Sequence, residues 1–274
     1  MHRKDYTRKE YLDKKFSTVK YEDKYIMKCL QKDILDFQEY TKDQIKRNKV
    51  VLDELLKIVQ TTVNECIPDY EVKLYGSHAT NLCLPWSDLD IVLINKRTGY
   101  SNEYRVLQQL YIALLDKPWK KSIKFIDTAL IPLIKINATD EYNGMQMDIS
   151  LQDGKHYGIK CVDLVKRFMT EYEALEPLIF ALKNLLKNAN LNDPYTGGLS
   201  SYGLILMVVS YLQSQLESNK SIRIADGNLG RLFIEFLCYY GIIFDHQKYV
   251  IYTYPPNDIY ADKDQNNFFL VYPL

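Results

Sequence analysis

Residues Tyr75 to Val92 read Tyr-Gly-Ser-His-Ala-Thr-Asn-Leu-Cys-Leu-Pro-Trp-Ser-Asp-Leu-Asp-Ile-Val, a Gly-Ser turn followed after ten intervening residues by two aspartates spaced i, i+2. In an extended strand successive side chains alternate faces, so Asp88 and Asp90 project from one side while Leu89, Ile91 and Leu93 face the other. Two carboxylates held side by side repel each other unless a cation lies between them. Hard oxygen ligands suit Mg²⁺ (or Mn²⁺), and two such ions roughly 3.5–4 Å apart can clamp a phosphoryl group during in-line displacement. A bare Asp-x-Asp is more often a solvated pair on a strand edge, and the upstream turn is what shifts the balance. Gly76 lets the backbone approach a ligand closely, and Ser77 can open a short helix whose free N–H groups and hydroxyl would meet a phosphate. A phosphate site and a metal site in one unit predict a nucleoside triphosphate as the ligand.

Two aspartates rarely complete a two-metal site, and the segment Met145 to Gln152 supplies a third. Its alternation is strict, with Met145, Met147, Ile149 and Leu151 on an apolar face and Gln146, Asp148, Ser150 and Gln152 on a polar one. Asp148 therefore sits in mid-strand, where a charge serves no evident structural purpose.

Working outward, apolar residues recur at three and four from about 24 to 40 and again from about 43 to 63, as in Val51, Leu52, Leu55, Leu56, Ile58 and Val59; this predicts two amphipathic helices. Strands are expected at 71–75, 88–94, 122–126, 130–136 and 145–151, with a helix around 102–115 between them. Pro132 predicts an edge or strand-start position for its run. Beyond Asp153-Gly154 the period turns helical, with helices near 162–169, 174–188, 200–217 and 228–240, and the Asn-, Pro- and Gly-rich stretch 190–198 reads as a loop.

The 274 residues carry 35 basic and 35 acidic side chains, a balance that predicts weak intrinsic affinity for a phosphate backbone and hence a separate RNA-binding partner if RNA is the substrate. The basic excess lies at the start, in Arg3, Lys4, Arg8, Lys9, Lys14 and Lys15, and reads as a solvated tail over 1–24. No apolar run approaches the length that crosses a bilayer and the first residues lack an apolar signal core, so an intracellular protein with no membrane partner is expected. Five scattered cysteines, none in a Cys-x-x-Cys pair, read as free thiols, and the four histidines form no ligand cluster. His78, beside the turn, reads as a bystander.

The Gly-Ser turn, the Asp-x-Asp strand and the later strand Asp resemble the nucleotidyltransferase superfamily typified by DNA polymerase β. More narrowly, the chain is similar to the non-canonical poly(A) polymerase and terminal nucleotidyltransferase family. Leu191-Asn192 with Tyr195-Thr196-Gly197-Gly198-Leu199-Ser200-Ser201-Tyr202, and Leu229-Gly230-Arg231-Leu232-Phe233 with Tyr240-Gly241, follow that family's central domain. The Tyr-Thr-Gly-Gly form resembles the branch whose members act in nuclear surveillance (TRAMP-like) complexes. The resemblance implies an α+β fold: a polymerase β-like nucleotidyltransferase domain, a mixed sheet with helices, at 42–154, and a mainly helical central domain at 25–41 and 155–274.

It also implies the chemistry: attack of an RNA 3′-hydroxyl on the α-phosphate of ATP (or UTP). Asp88 and Asp90 would bind both metals and Asp148 the one nearest the hydroxyl; Gly76 and Ser77 would cradle the β- and γ-phosphates. Lys183, four residues before Lys187, would reach the triphosphate, Ser201 would bond to it, and Tyr202 would stack on the base. Asn81 stands where relatives commonly have glycine, which is expected to alter the phosphate turn. Cys161-Val162 stands where uridylyltransferase relatives carry an Asn-Thr pair, which favours the adenylating branch. After a segment like Phe268 to Leu274, relatives continue into an acidic Asp-Pro element, an Asn-Asp nucleotide-recognition loop and a closing helix, so a central domain cut short at its C-terminus is expected. The readings that follow are an RNA 3′-terminal adenylyltransferase of the nucleus, a uridylyltransferase, or an inactive polymerase-fold scaffold of an RNA-processing assembly.

Overall fold

The amphipathic stretches expected as two helices form one in the computed structural model: α1 runs from Tyr21 to Cys66, 46 residues. Only Thr41 and Lys42 separate the two expected runs, neither is a helix breaker, and Asp43 pairs with Arg47 one turn later at 2.7 Å. The structure describes residues 21–97, 102–129, 131–152, 158–245, 250–254 and 269–271. The expected tail up to residue 20 and the Asp153-Gly154 boundary lie outside them. The chain divides into two compact units, Thr41–Lys166 and Met1–Tyr40 with Arg167–Leu274.

In the first unit, β1 (Tyr70–Leu74), α2 (Gly76–Ala79), β2 (Leu89–Asn95), α3 (Glu103–Leu114), β3 (Lys120–Ile126), β4 (Leu133–Ala138) and β5 (Gln146–Leu151) follow α1. The strands form one sheet in the order β1-β2-β5-β4-β3, in which β2 and β5 are parallel and every other pair is antiparallel. β4 is therefore an interior strand, and Pro132 stands just before it, where its missing N–H costs no ladder bond. One face of the sheet is dry. Leu89, Ile91 and Leu93 of β2, Ile134 and Ile136 of β4, and Met147 and Ile149 of β5 are buried with Leu55, Val59 and Val63 of α1 and Leu107, Leu110 and Leu114 of α3. Each such side chain contributes about 1.5–3 kcal/mol on leaving water, which is what forces the alternating charged residues to the opposite face. That face is not uniformly wet: Ser150, on the polar side of its strand as expected, is buried and donates to the Ile91 carbonyl at 3.4 Å.

The second unit contains most of the later helices. α4 (Gly158–Glu171) passes into it after Lys166 and is followed by α5 (Leu175–Asn188), α6 (Ser201–Glu217) and α7 (Leu229–Cys238), with β6 (Ile251–Thr253) paired to β7 (Phe269–Val271). The expected helix to Tyr240 ends at Cys238 and closes with a π turn, Tyr239–Ile243. Ser200 caps α6, its hydroxyl accepting from the Gly203 amide at 3.0 Å. Gly198, in the loop before it, has no room for a side chain: a Cβ would lie 2.6 Å from the Leu191 carbonyl carbon. The start of α1 belongs here, with Gln31 accepting from the Leu229 amide at 2.9 Å. No helix among the described residues is long and apolar enough to cross a membrane.

Candidate active site

The polar face of the sheet carries a row of charges that the register builds. Asp90 of β2 is the direct partner of Asp148 of β5, Asp148 is the partner of Lys135 of β4, and Lys135 of Lys124 on the edge strand β3. Direct partners share a face, so two carboxylates and two ammonium groups stand in line across four strands. Asp88 lies just before β2, which starts at Leu89 rather than at Asp88 as expected.

The loop ahead of Asp88 is held by local bonds. The Leu84 amide donates to Ser87 Oγ at 2.9 Å, the Ser87 amide donates to the Leu84 carbonyl at 3.0 Å, and His78 Nε2 lies 3.2 Å from the Ser87 carbonyl. His78, expected as a bystander, thus ties α2 to the residue before Asp88. The turn at Gly76 closes on the other aspartate. Gly76 has φ +64°, and a Cβ there would strike the Asp90 carboxylate, 2.9 Å from its Cγ and 3.1 Å from its Cβ. Only glycine combines that backbone with that closeness. Asn81, expected to alter the turn, has φ +60°, the left-handed conformation a glycine would take there and one that asparagine tolerates.

The electrostatics centre on Lys135. Its Nζ lies 3.3 Å from Asp148 Oδ2 and 3.7 Å from Asp88 Oδ2, so one ammonium bridges two of the three aspartates. Burial pulls that ammonium's pKa down, but the Asp148 and Asp88 charges outweigh it and the pKa is raised. The Asp148 carboxyl is raised above its ordinary value, chiefly by burial; Lys135 opposes the shift and Asp88 adds to it. Asp148 Oδ1 is buried with no hydrogen-bond partner. Among the described residues no three Asp, Glu, His or Cys side chains are gathered as a ready metal cage, Asp88, Asp90 and Asp148 included. The donor set nevertheless fits a hard divalent cation, since an orphaned buried carboxylate oxygen is what such an ion satisfies.

The remaining expected residues divide between the units. Gly76 and Ser77 share the first unit with the three aspartates, Ser77 as the second residue of α2. Lys183 and Lys187 on α5, and Ser201 and Tyr202 at the start of α6, belong to the second. Lys183 is buried, Lys187 and Ser201 are exposed, and Tyr202 is half-buried. Lys135 was missed from sequence, although its place opposite Ile134 and Ile136 in an alternating strand already put it on the polar face.

A family model described as "Poly(A) RNA polymerase, mitochondrial-like, central palm domain" matches residues 28–169. The poly(A) RNA polymerase cid14 of Schizosaccharomyces pombe is 32% identical over 217 residues, 79% of this chain and 31% of that protein. The inactive non-canonical poly(A) RNA polymerase protein Trf4-2 of Drosophila melanogaster is 34% identical over 194 residues, 70% of this chain and 46% of that one. The chain thus spans less than half the length of these curated relatives. Among solved structures, the polymerase core of TRAMP, an RNA surveillance complex, aligns with a TM-score of 0.69 at 26% identity, covering 83% of this chain and 68% of that chain. A likeness of fold alone links it to the Cid1 poly(U) polymerase bound to MgGTP, with a TM-score of 0.60 at 22% identity over 77% of this chain and 75% of that chain. Residues 28–169 hold the mixed sheet, the glycine turn and all three aspartates, and through them the chain belongs to the non-canonical poly(A) RNA polymerase family of polymerase β-like nucleotidyltransferases.

Proposed function

We propose that this chain transfers AMP from ATP to the 3′-hydroxyl of an RNA without a template, in RNA processing or surveillance. The observation that carries the reading is the sheet face on which Asp90 and Asp148 are register partners, Asp88 stands two residues away, and the Gly76 turn presses on Asp90. Asp88, Asp90 and Asp148 would hold Mg²⁺ or Mn²⁺, with the orphaned Asp148 Oδ1 as one donor. Bound metal would supply activation of the attacking hydroxyl and stabilisation of charge on the phosphoryl group.

The chain's own part is positioning. Gly76 and Ser77 would receive the β- and γ-phosphates, Lys183, Lys187 and Ser201 would bind the triphosphate, and Tyr202 would stack on the base. Such stacking contributes roughly 1–3 kcal/mol and accepts any base. The names of the curated relatives support ATP over UTP. The balanced charge supports a separate RNA-binding protein, and neighbours of this fold are known as the TRAMP core and the GLD-2/RNP-8 complex. Nuclear residence goes with the TRAMP-like branch.

Primer extension tests this: the purified chain, labelled single-stranded RNA, Mg²⁺ or Mn²⁺ and each nucleoside triphosphate separately, beside Asp88→Ala and Asp90→Ala. Extension with ATP that vanishes in both variants is expected. Preference for UTP would make it a uridylyltransferase. No extension with any nucleotide would favour a second reading, a polymerase-fold scaffold, for which the 34% identity to a relative named inactive is the specific support.

A further inference from the structure

Two of the three aspartates on the sheet's polar face are not left to repel one another. Lys135 reaches both Asp148 and Asp88, at 3.3 and 3.7 Å, from the middle of an interior strand. Its backbone cannot drift from them, because β4 is paired on both sides, Lys135 with Asp148 on β5 and with Lys124 on β3. Its neighbours Ile134 and Ile136 are fully buried on the opposite face, so a register slip that moved Lys135 away would expose both. The ammonium lies where a cation is wanted, on Oδ2 of both Asp88 and Asp148, and a divalent ion drawn to the same two carboxylates, with Asp148 Oδ1 among its donors, would repel it at close range.

We propose that Lys135 is the resident cation of the metal-free site: its ammonium holds Asp88 and Asp148 together until a divalent ion enters, and has to leave them as the ion binds. Lys135 is then a positioning residue that sets the affinity of the site for metal. The inference rests on the metal-dependent nucleotidyl transfer proposed for this same site. It explains how Asp88 and Asp148 are kept side by side without metal. It also gives the lysine two states: bridged between the aspartates, and released beside the loaded site, where its long side chain, 38% exposed, has solvent to enter.

The test is Mn²⁺ binding to the full chain, followed by calorimetry, for the natural protein, Lys135→Met and Lys124→Met. Lys124→Met removes the same charge from the same face one strand farther out, so it measures charge without competition. Lys135→Met should bind Mn²⁺ about fivefold to tenfold more tightly, and Lys124→Met within about twofold of the natural chain, as expected when a partly exposed bridging ion pair is removed rather than a remote charge. Equal or weaker Mn²⁺ binding by Lys135→Met, or an equal gain in Lys124→Met, overturns the proposal.

A second measurement uses only the natural chain and does not depend on the variant folding. Reductive methylation of lysines, read by peptide mass mapping, should modify Lys135 severalfold faster with saturating Mn²⁺ than with chelator, because the ion releases the amine. No change in its rate overturns the inference. Primer extension separates the two levels. If the natural chain binds Mn²⁺ and extends RNA while Lys135→Met binds no tighter, this inference alone falls. If the natural chain neither binds Mn²⁺ nor extends RNA, the metal-dependent reading falls and takes the inference with it.

Discussion

Replacing Gly76 with alanine asks two things of the site at once. The backbone at φ +64° would have to hold a Cβ in the left-handed region, which costs about 1–2 kcal/mol. The new methyl would also meet the Asp90 carboxylate, and Asp90 cannot back away along the sheet: its carbonyl accepts from the Tyr75 amide at 3.1 Å and its Cα is in register with Asp148. Its side chain must leave its rotamer, at about 0.5–1.5 kcal/mol. The expected loss is about 2–3 kcal/mol of stability, and a shift near 1 Å in a reacting group can cost about a hundredfold in rate. Gly144→Ala is the internal control, since Gly144 has φ +61° in the same unit and nothing within 4 Å of the added Cβ. Thermal melting and primer extension on both variants read the difference. Gly144→Ala should lose only the backbone part and keep its extension rate, while Gly76→Ala loses more stability and at least a hundredfold in extension. If Gly76→Ala extends RNA at the natural rate, or melts no lower than Gly144→Ala, the close approach of Gly76 to Asp90 is not what shapes the site.

The raised Asp148 carboxyl makes a pH prediction. Its folded value lies above its ordinary one near 3.8, so between the two the folded chain binds the extra proton, and stability is gained as pH falls through the folded value. With chelator present, Asp148→Asn should melt above the natural chain at neutral pH, and that advantage should shrink as the pH is lowered through this window; an advantage flat in pH would contradict the burial. In the second unit, Glu235 is 1% exposed and accepts from Arg231 Nη1 at 2.9 Å and from the Tyr211 hydroxyl at 3.2 Å. Glu235→Ala should destabilise the chain by about 1–3 kcal/mol, because Arg231, 23% exposed and still donating to the Ser221 carbonyl, loses its carboxylate and the buried Tyr211 hydroxyl loses its acceptor. Glu235→Gln, which keeps an acceptor, should cost clearly less in a denaturant titration, and equal losses would show that the pairing is immaterial.

The elements were legible because their periods are set by local burial. The strand expected at 145–151 is Gln146–Leu151, and the helix expected at 200–217 is Ser201–Glu217 with Ser200 as its cap. Of the boundaries that differ, two have a plain physical reason. The strand expected at 130–136 runs Leu133–Ala138 because Pro132, with no amide to give, stands outside the ladder. The break expected near residue 41 does not exist, because Thr41 and Lys42 do not break a helix and α1 runs on from one unit into the other.

Sequence by itself determined the identity of the chemically loaded residues. The i, i+2 spacing at the entry to a strand places Asp88 and Asp90 on one side, and the alternation of 145–152 places Asp148 on a polar face. Tertiary structure alone decided who stands next to whom. That Asp90 faces Asp148 depends on β2 and β5 lying parallel and adjacent, and that Lys135 reaches Asp148 and Asp88 depends on the register of the β4–β5 pair. That Gly76 must be glycine depends on where the turn meets the Asp90 carboxylate. Local periodicity reports which face a side chain takes, and carries no information on which distant strand will lie beside it; that choice is made when the buried apolar faces of all five strands and two helices are satisfied together.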